Sequence, residues 1–285
     1  MKVFTRTHKK GDRGMRRVVA ALEAHAPKTI EIVGNMDDAE LVILHVIGRC
    51  NRMTELSDRL RRLGKKYAVI QYAIRSTKTP HTSEWLPLWK HAALVWSYYN
   101  LRALCQEDGT QADFTFHHAP LGTDFYHGHE RKKYMIATSG LSYLTESVRE
   151  CVIAAGRSGK KVFHVGPAIG HHIECSNGMS DEDLMKKYAQ CEYVSGLRRI
   201  EGFEFPVIEG LMCGAKPIVF DKPHYRHWFH DLAIFIPEGP REQVIESLRT
   251  LFRAGAYPPV MEKDKDVVRE RFDWGKIIHG FYSSL

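Results

Sequence analysis

The residues best placed to do chemistry lie between Ser195 and Asp221, in SGLRRIEGFEFPVIEGLMCGAKPIVFD. Glu201 and Glu209 stand eight positions apart, with Arg198 and Arg199 just upstream of the first. The pattern predicts a loop, then a helix opening at Pro206, then the apolar strand AKPIVFD. Proline suits a first helical turn, where its missing N–H costs nothing, and Gly214 suits the C-terminal cap. Glu209 is therefore expected inside the helix's first turn and Glu201 in the loop. A helix N-terminus carries about half a positive charge and unpaired N–H groups, so it can hold a phosphate. A carboxylate beside it can accept two hydrogen bonds from a ribose diol. Guanidinium groups suit phosphate oxygens. Diphosphate, ribose and a further carboxylate together describe a site for a nucleotide sugar. The plain alternative is an ordinary βα unit with solvated glutamates. Two glutamates eight apart carry nothing alone; Gly202, Phe203, Pro206, Gly214 and Pro217 in register set the stretch apart.

That Glu-x7-Glu pattern, in EGF-x-x-P-x-x-E followed by GAKPIV, resembles the donor-site signature of retaining GT-B glycosyltransferases. The resemblance implies an α/β chain of two Rossmann-like domains, each with a parallel sheet, and a cleft between them. It implies that Glu209 binds the donor ribose and that Glu201 sits beside the transferred sugar. The backbone around Phe203, with Gly202, Glu204, Phe205 and Pro206, would touch sugar or phosphate. Arg198, Arg199 and the helix dipole would stabilise the leaving diphosphate, with attack from the same face and no dedicated base. No cofactor beyond the nucleotide sugar is implied, a UDP-sugar being the expected donor, and no metal. The sequence departs from the pattern in three places, one being a short first domain, for which a shallow, open acceptor cleft is expected. The loop SGLSYLTES, residues 139–147, lacks the arginine and lysine commonly found there, so Arg198 and Arg199, or Ser139 with backbone amides, take over the phosphates. Glu204 stands where a glycine is usual.

The elements that must position these groups alternate as strand and helix. KVFT, ELVILHVIG and KKYAVIQYAI read as strands, with helices MRRVVAALEAHA and MTELSDRLRRLG between them. HAALVWSYYNLRALCQ reads as a strand passing into a helix. In the second half KYMIATSG, KKVFHVG and EYVSG are strands, and Ser180 with Asp183 resembles a capping box opening DEDLMKKYAQC. PREQVIESLRTLFRAG is an amphipathic helix. Such alternation predicts parallel sheets. PLGTD, residues 120–124, resembles the segment that ends the first domain of the family, and FDW at 272–274 its terminal helix. The expected division is 1–128, 129–268 and a terminal helix, 269–285, crossing back.

The 285 residues carry a net charge of +7, unevenly placed. Residues 1–125 hold 19 Lys+Arg against 13 Asp+Glu, leaving 22 against 21 in the rest. Basic residues crowd the glycine-punctuated turn after the first strand, where Lys9, Lys10, Arg13 and His8 are the candidate acceptor contacts; a solvated basic face is the plain reading. The expected acceptor is DNA bearing a hydroxymethylated pyrimidine, as in phage-type DNA glycosyltransferases. A cell-surface glycan or a lipid-linked oligosaccharide is the alternative, and an inactive nucleotide-sugar-binding module a third reading. Six scattered cysteines without a CxxC pair predict reduced thiols, and no run of about 18 apolar residues appears, so a cytoplasmic enzyme is expected, in the host cytoplasm if phage-encoded. Adjacent histidine pairs at 117–118 and 171–172 chelate poorly, so no metal site is expected. His45 is read as a structural histidine or a sugar contact. Trp96 and Tyr98 are expected in the core; Trp85 and Trp89 either pack or stack on a base or sugar.

Overall fold

The computed structural model describes residues 1–5, 13–47, 51–74, 82–140, 146–170, 173–199, 203–255 and 258–285, with Arg13 and Asn51 described by backbone alone. His8, Lys9, Lys10, Glu201, Gly202 and the Arg13 side chain lie outside this description. The chain forms two compact units, residues 1–121 with 274–285, and residues 122–273.

In the first unit the strands are β1 (Lys2–Thr5), β2 (Glu31–Ile32), β3 (Leu41–Val46), β4 (Lys66–Gln71), β5 (Val95–Ser97) and β6 (Phe116–His118). They pair in parallel in the order β2-β1-β3-β4-β5-β6. All six residues of β3 are buried, because it is flanked by β1 and β4 and covered on both faces. The helices are α1 (Arg13–Ala24), α2 (Asn51–Arg62), α3 (Leu86–Trp89) and α4 (Leu101–Glu107). Helical spacing puts Met15, Val18, Val19 and Leu22 of α1 on one face; Met15, Val18 and Leu22 are buried and Val19 is half-buried.

The tryptophans settle an open alternative. Trp85 and Trp89 are both buried, with ring centroids 6.5 Å apart. Their indole N–H groups donate to the Ile74 carbonyl and to Gln71 Oε1, each at 3.0 Å. They pack the unit and present no stacking face. Trp96 is buried against Phe281 and donates to the Ala119 carbonyl.

In the second unit the strands are β7 (Tyr134–Ser139), β8 (Val162–Val165), β9 (Glu174–Ser176), β10 (Cys191–Gly196), β11 (Lys216–Phe220) and β12 (Ile234–Ile236). Their order is β12-β11-β10-β7-β8-β9, again all parallel. The helices are α5 (Val148–Arg157), α6 (Asp181–Ala189), α7 (Phe205–Met212), α8 (Pro223–Phe229), α9 (Arg241–Ala254) and α10 (Glu262–Arg271). The final helix of the chain, α11 (Trp274–Ser283), belongs to the first unit, where Tyr282 donates its hydroxyl to the Leu22 carbonyl. Residues 269–271, expected to open the terminal segment, instead form the last turn of α10. Ser180 caps α6 by accepting the Asp183 N–H at 3.1 Å.

α7 is a short helix held very close to its sheet. A Cβ at Gly210 would lie 2.2 Å from Val194 Cγ1 and 2.9 Å from Val194 Cβ on β10, so only a glycine lets the backbones approach this far. The helix ends at Gly214, whose φ of +79° is left-handed, while Ala215 N–H donates back to the Gly210 carbonyl. Glu209 is the fifth residue of α7, in its second turn rather than its first, because the helix opens one residue before Pro206.

An alanine for glycine exchange within a helix ordinarily stabilises by about 0.5–1 kcal/mol. At Gly210 the packing reverses that sign. Gly210→Ala should cost about 1–3 kcal/mol through overpacking. Urea denaturation reads the change directly, and an unchanged or raised midpoint would show that α7 is not pinned to β10 by this contact.

Candidate functional site

In an open parallel sheet, a crevice forms at the C-terminal strand ends where the strand order reverses, and ligands bind there. In the second unit the chain starts in the middle at β7, runs out to β9, then returns to lay β10 on the other side of β7. The reversal lies between the ends of β7 and β10, and it is there that Ser139 and Arg198 meet. Arg198 Nη2 donates to Ser139 Oγ at 3.0 Å. Its Nε donates to Glu204 Oε2 at 3.2 Å, and its Nη1 lies 3.8 Å from Glu146 Oε1. Arg198 is 7% exposed and Glu204 2% exposed, so this is a buried ion pair.

The local backbone explains the pairing. Glu204 is the N-cap residue of α7, in extended conformation (φ −125°, ψ 106°), and its side chain does not cap the helix. The carboxylate instead lies between two donors, Arg198 Nε and the Tyr225 hydroxyl, the latter at 3.3 Å. Its place at a helix N-terminus also favours its charge. The guanidinium thus spans the first turn of α7 and the end of β7, fixed at three of its edges.

Arg199 turns elsewhere. Both of its terminal nitrogens donate to the Gly239 carbonyl at 3.2 Å, and they lie 3.5 Å from Glu238 and 3.9 Å from Glu150. Its guanidinium also rests over the Phe220 ring at 5.2 Å. Phe203 buries its ring against Phe229 and Phe272, at 5.2 and 5.8 Å, which leaves its backbone as the part that can meet a ligand. Phe205 and Pro206 are half-buried at the start of α7. Glu209 is 2% exposed. The structure therefore brings Ser139, Arg198 and Glu204 together at the reversal and does not bring Arg199 to them.

His164, on β8, lies beneath this group. It is fully buried, its Nδ1 is 2.9 Å from Thr138 Oγ1, and burial holds its pKa below the ordinary histidine value, with the charge of Arg198 adding to the effect. Neither it nor Glu146 or Tyr225 is signalled by local sequence, since each reaches the site only through sheet order or helix packing. In the first unit the corresponding reversal lies between β1 and β3. There Thr5 Oγ1 is 2.8 Å from His45 Nε2, and His45 Nδ1 is 2.8 Å from the Tyr72 hydroxyl. Both ring nitrogens of His45 are engaged inside the unit, as a structural histidine requires. Among the described residues, no group of three His, Cys, Asp or Glu side chains is placed to hold a metal ion, and no helix is long and apolar enough to cross a membrane.

No family model and no curated protein matches the sequence. Solved structures do. HepE from Anabaena, in complex with UDP and glucose, superposes with a TM-score of 0.74 at 10% identity, over 99% of this chain and 98% of that one. Sucrose-phosphate synthase from Thermosynechococcus elongatus gives 0.69 at 12% identity, over 97% and 79% of the two chains. The pneumococcal O-GlcNAc transferase GtfA, in complex with UDP and GlcNAc, gives 0.65 at 14% identity. That match takes in 94% of this chain, which spans 58% of the length of GtfA. Likeness at these identities shows a fold, and the fold is GT-B: two Rossmann-like units, each built on a six-stranded parallel sheet.

Removing one partner of a buried ion pair strands the other charge, at a cost of about 3–5 kcal/mol, whereas replacing both by apolar groups is often neutral. Arg198→Met should show that loss in chemical denaturation, and Arg198→Met with Glu204→Leu should recover most of it. A double variant no more stable than the single one would mean that Arg198 and Glu204 are not energetically paired.

Proposed function

We propose that this chain is a glycosyltransferase that moves a sugar from a nucleotide-sugar donor, a UDP-sugar, with retention of configuration. The observation that carries the reading is a buried, oriented arginine at the strand-order reversal of the second unit, beside the N-terminus of α7. The GT-B fold and the UDP bound in the HepE and GtfA structures support it.

In this reading the diphosphate lies at the ends of β7 and β10. Arg198 meets the charge that develops as the sugar–phosphate bond breaks, and Ser139 with the first N–H groups of α7 completes the cradle. Because Glu204, Ser139 and Glu146 already fix the guanidinium, little reorganisation is needed during transfer. Arg199 is reassigned: tied to Gly239 and Glu238, it holds the loop rather than the leaving group. Glu209 takes the ribose diol, which must be admitted at a face of α7 now covered. Glu201 and Gly202 serve the transferred sugar, and the Phe203 backbone lines it. A fixed guanidinium supplies the positive charge that a divalent cation would otherwise bring to the diphosphate, so transfer should proceed without metal.

For the acceptor we propose hydroxymethylated DNA first and a cell-surface or lipid-linked glycan second. The excess charge of residues 1–125 supports either. Proteins of this fold include an O-GlcNAc transferase and a sucrose-phosphate synthase, so the fold alone does not choose.

Glu209→Ala should weaken UDP binding about ten- to a hundredfold, the worth of charge-assisted hydrogen bonds at about 1.5–3 kcal/mol. Calorimetric titration with unchanged affinity would remove Glu209 from the ribose. Nucleotide sugars should then be incubated, in excess EDTA, with hydroxymethylated DNA and with glycans. Label on the DNA, with a salt slope of affinity that flattens by about 0.9 for each lost phosphate contact in the Lys9, Lys10 and Arg13 alanine variants, supports the first acceptor. Label on the glycan alone supports the second, and activity lost in EDTA but restored by magnesium contradicts the metal-free reading.

A further inference from the structure

Lys222 is a charged side chain in the wall of the second unit that nothing in the donor-site pattern calls for. It follows β11, stands at the N-cap of α8 and is 9% exposed. Its ammonium donates to the Arg198 carbonyl at 3.0 Å and to the Arg199 carbonyl at 2.6 Å, and lies 3.1 Å from Glu238 Oε2. These three partners match the three donors of an ammonium. Its Nζ lies over the Phe220 ring, 5.8 Å from the ring centre.

Two successive carbonyls turned toward one cation require the chain to bend at residues 198–199, just past the end of β10. The bend has a consequence for the side chains. Arg198 leaves toward Ser139 at the end of β7, while Arg199 leaves toward Gly239, beyond β12. Adjacent guanidinium groups on one side of the chain would repel each other, and each here has its own carboxylates instead. A methionine at position 222 would keep most of the side-chain volume without the ammonium. What the lysine adds is its grip on this bend.

We propose that Lys222 is a positioning residue of the donor site: by holding the carbonyls of Arg198 and Arg199 it aims the Arg198 guanidinium at the reversal between β7 and β10. This rests on the reading of Arg198 as the diphosphate-binding cation. Lys222 itself touches no reacting atom in that reading. A lysine that merely stabilises the unit would affect the whole fold alike and would act independently of Arg198.

The test uses the full chain with Lys222→Met, Lys222→Gln and Lys222→Arg, so that a poorly folding variant has a substitute. Amide hydrogen exchange without ligand should quicken about tenfold or more in the 197–199 segment of the Met and Gln variants, with α9 unchanged. UDP titration should show affinity falling about tenfold in an otherwise wild-type chain and scarcely further when Arg198→Ala is already present. Lys222→Arg should restore part of both. Unchanged exchange at 197–199, or exchange raised equally in α9, overturns the clamp. An affinity loss of equal size with and without Arg198→Ala overturns the link to Arg198. Wild-type protein that takes up no UDP overturns the donor-site reading itself, and with it this role, whatever the exchange shows.

Discussion

The contact between Arg198 and Glu204 is the constraint around which the second unit's working edge is arranged. A guanidinium taken out of water is costly, and its cost is offset only if every edge finds a partner. Glu204 supplies one, Ser139 another and Glu146 a third. For Glu204 to be there, the N-cap of α7 must lie against the end of β10, and the glycine at position 210 lets the helix come that close. For Arg198 to face β7 and not β12, the chain must bend where Lys222 holds it.

This contact also joins two departures from the family pattern that look unrelated in the sequence. The loop after β7, residues 139–147, has no arginine or lysine, and Glu204 replaces a glycine. In the structure a cation reaches the first residue of that loop from the neighbouring strand's loop, and the unusual glutamate is its counter-ion. Each departure makes physical sense only with the other. An arginine without Glu204 would be a buried charge lacking its closest counter-ion; a glutamate without Arg198 would be the same fault with opposite sign.

Much of the fold is legible along the chain. The strands that read clearly, β1, β3, β4, β5, β7, β8, β10 and β11, are the inner ones, flanked by a strand on each side and mostly buried. The four that do not, β2, β6, β9 and β12, are the sheet edges, two or three residues long, too short for any periodic signal. Helix α10 is also not apparent in the sequence: its EKDKDVVRER is almost wholly polar, with Val268 its one buried residue. Trp85 and Trp89 were ambiguous because a buried indole and a stacking platform look alike until the hydrogen-bond partners are known. The separation of Arg198 from Arg199 had no local signal at all, since it is set by Lys222 from 24 and 23 positions away and by Ser139 from 59.

The central claim is about place: a nucleotide diphosphate at the ends of β7 and β10, held by Arg198. A crystal structure of the chain soaked with UDP addresses it most directly. The account predicts the diphosphate beside the N-terminus of α7, with a phosphate oxygen within hydrogen-bonding distance, about 3 Å, of the Arg198 guanidinium. UDP bound elsewhere on the second unit, with Arg198 still enclosed by Glu204 and Ser139 and touching no phosphate, would contradict it.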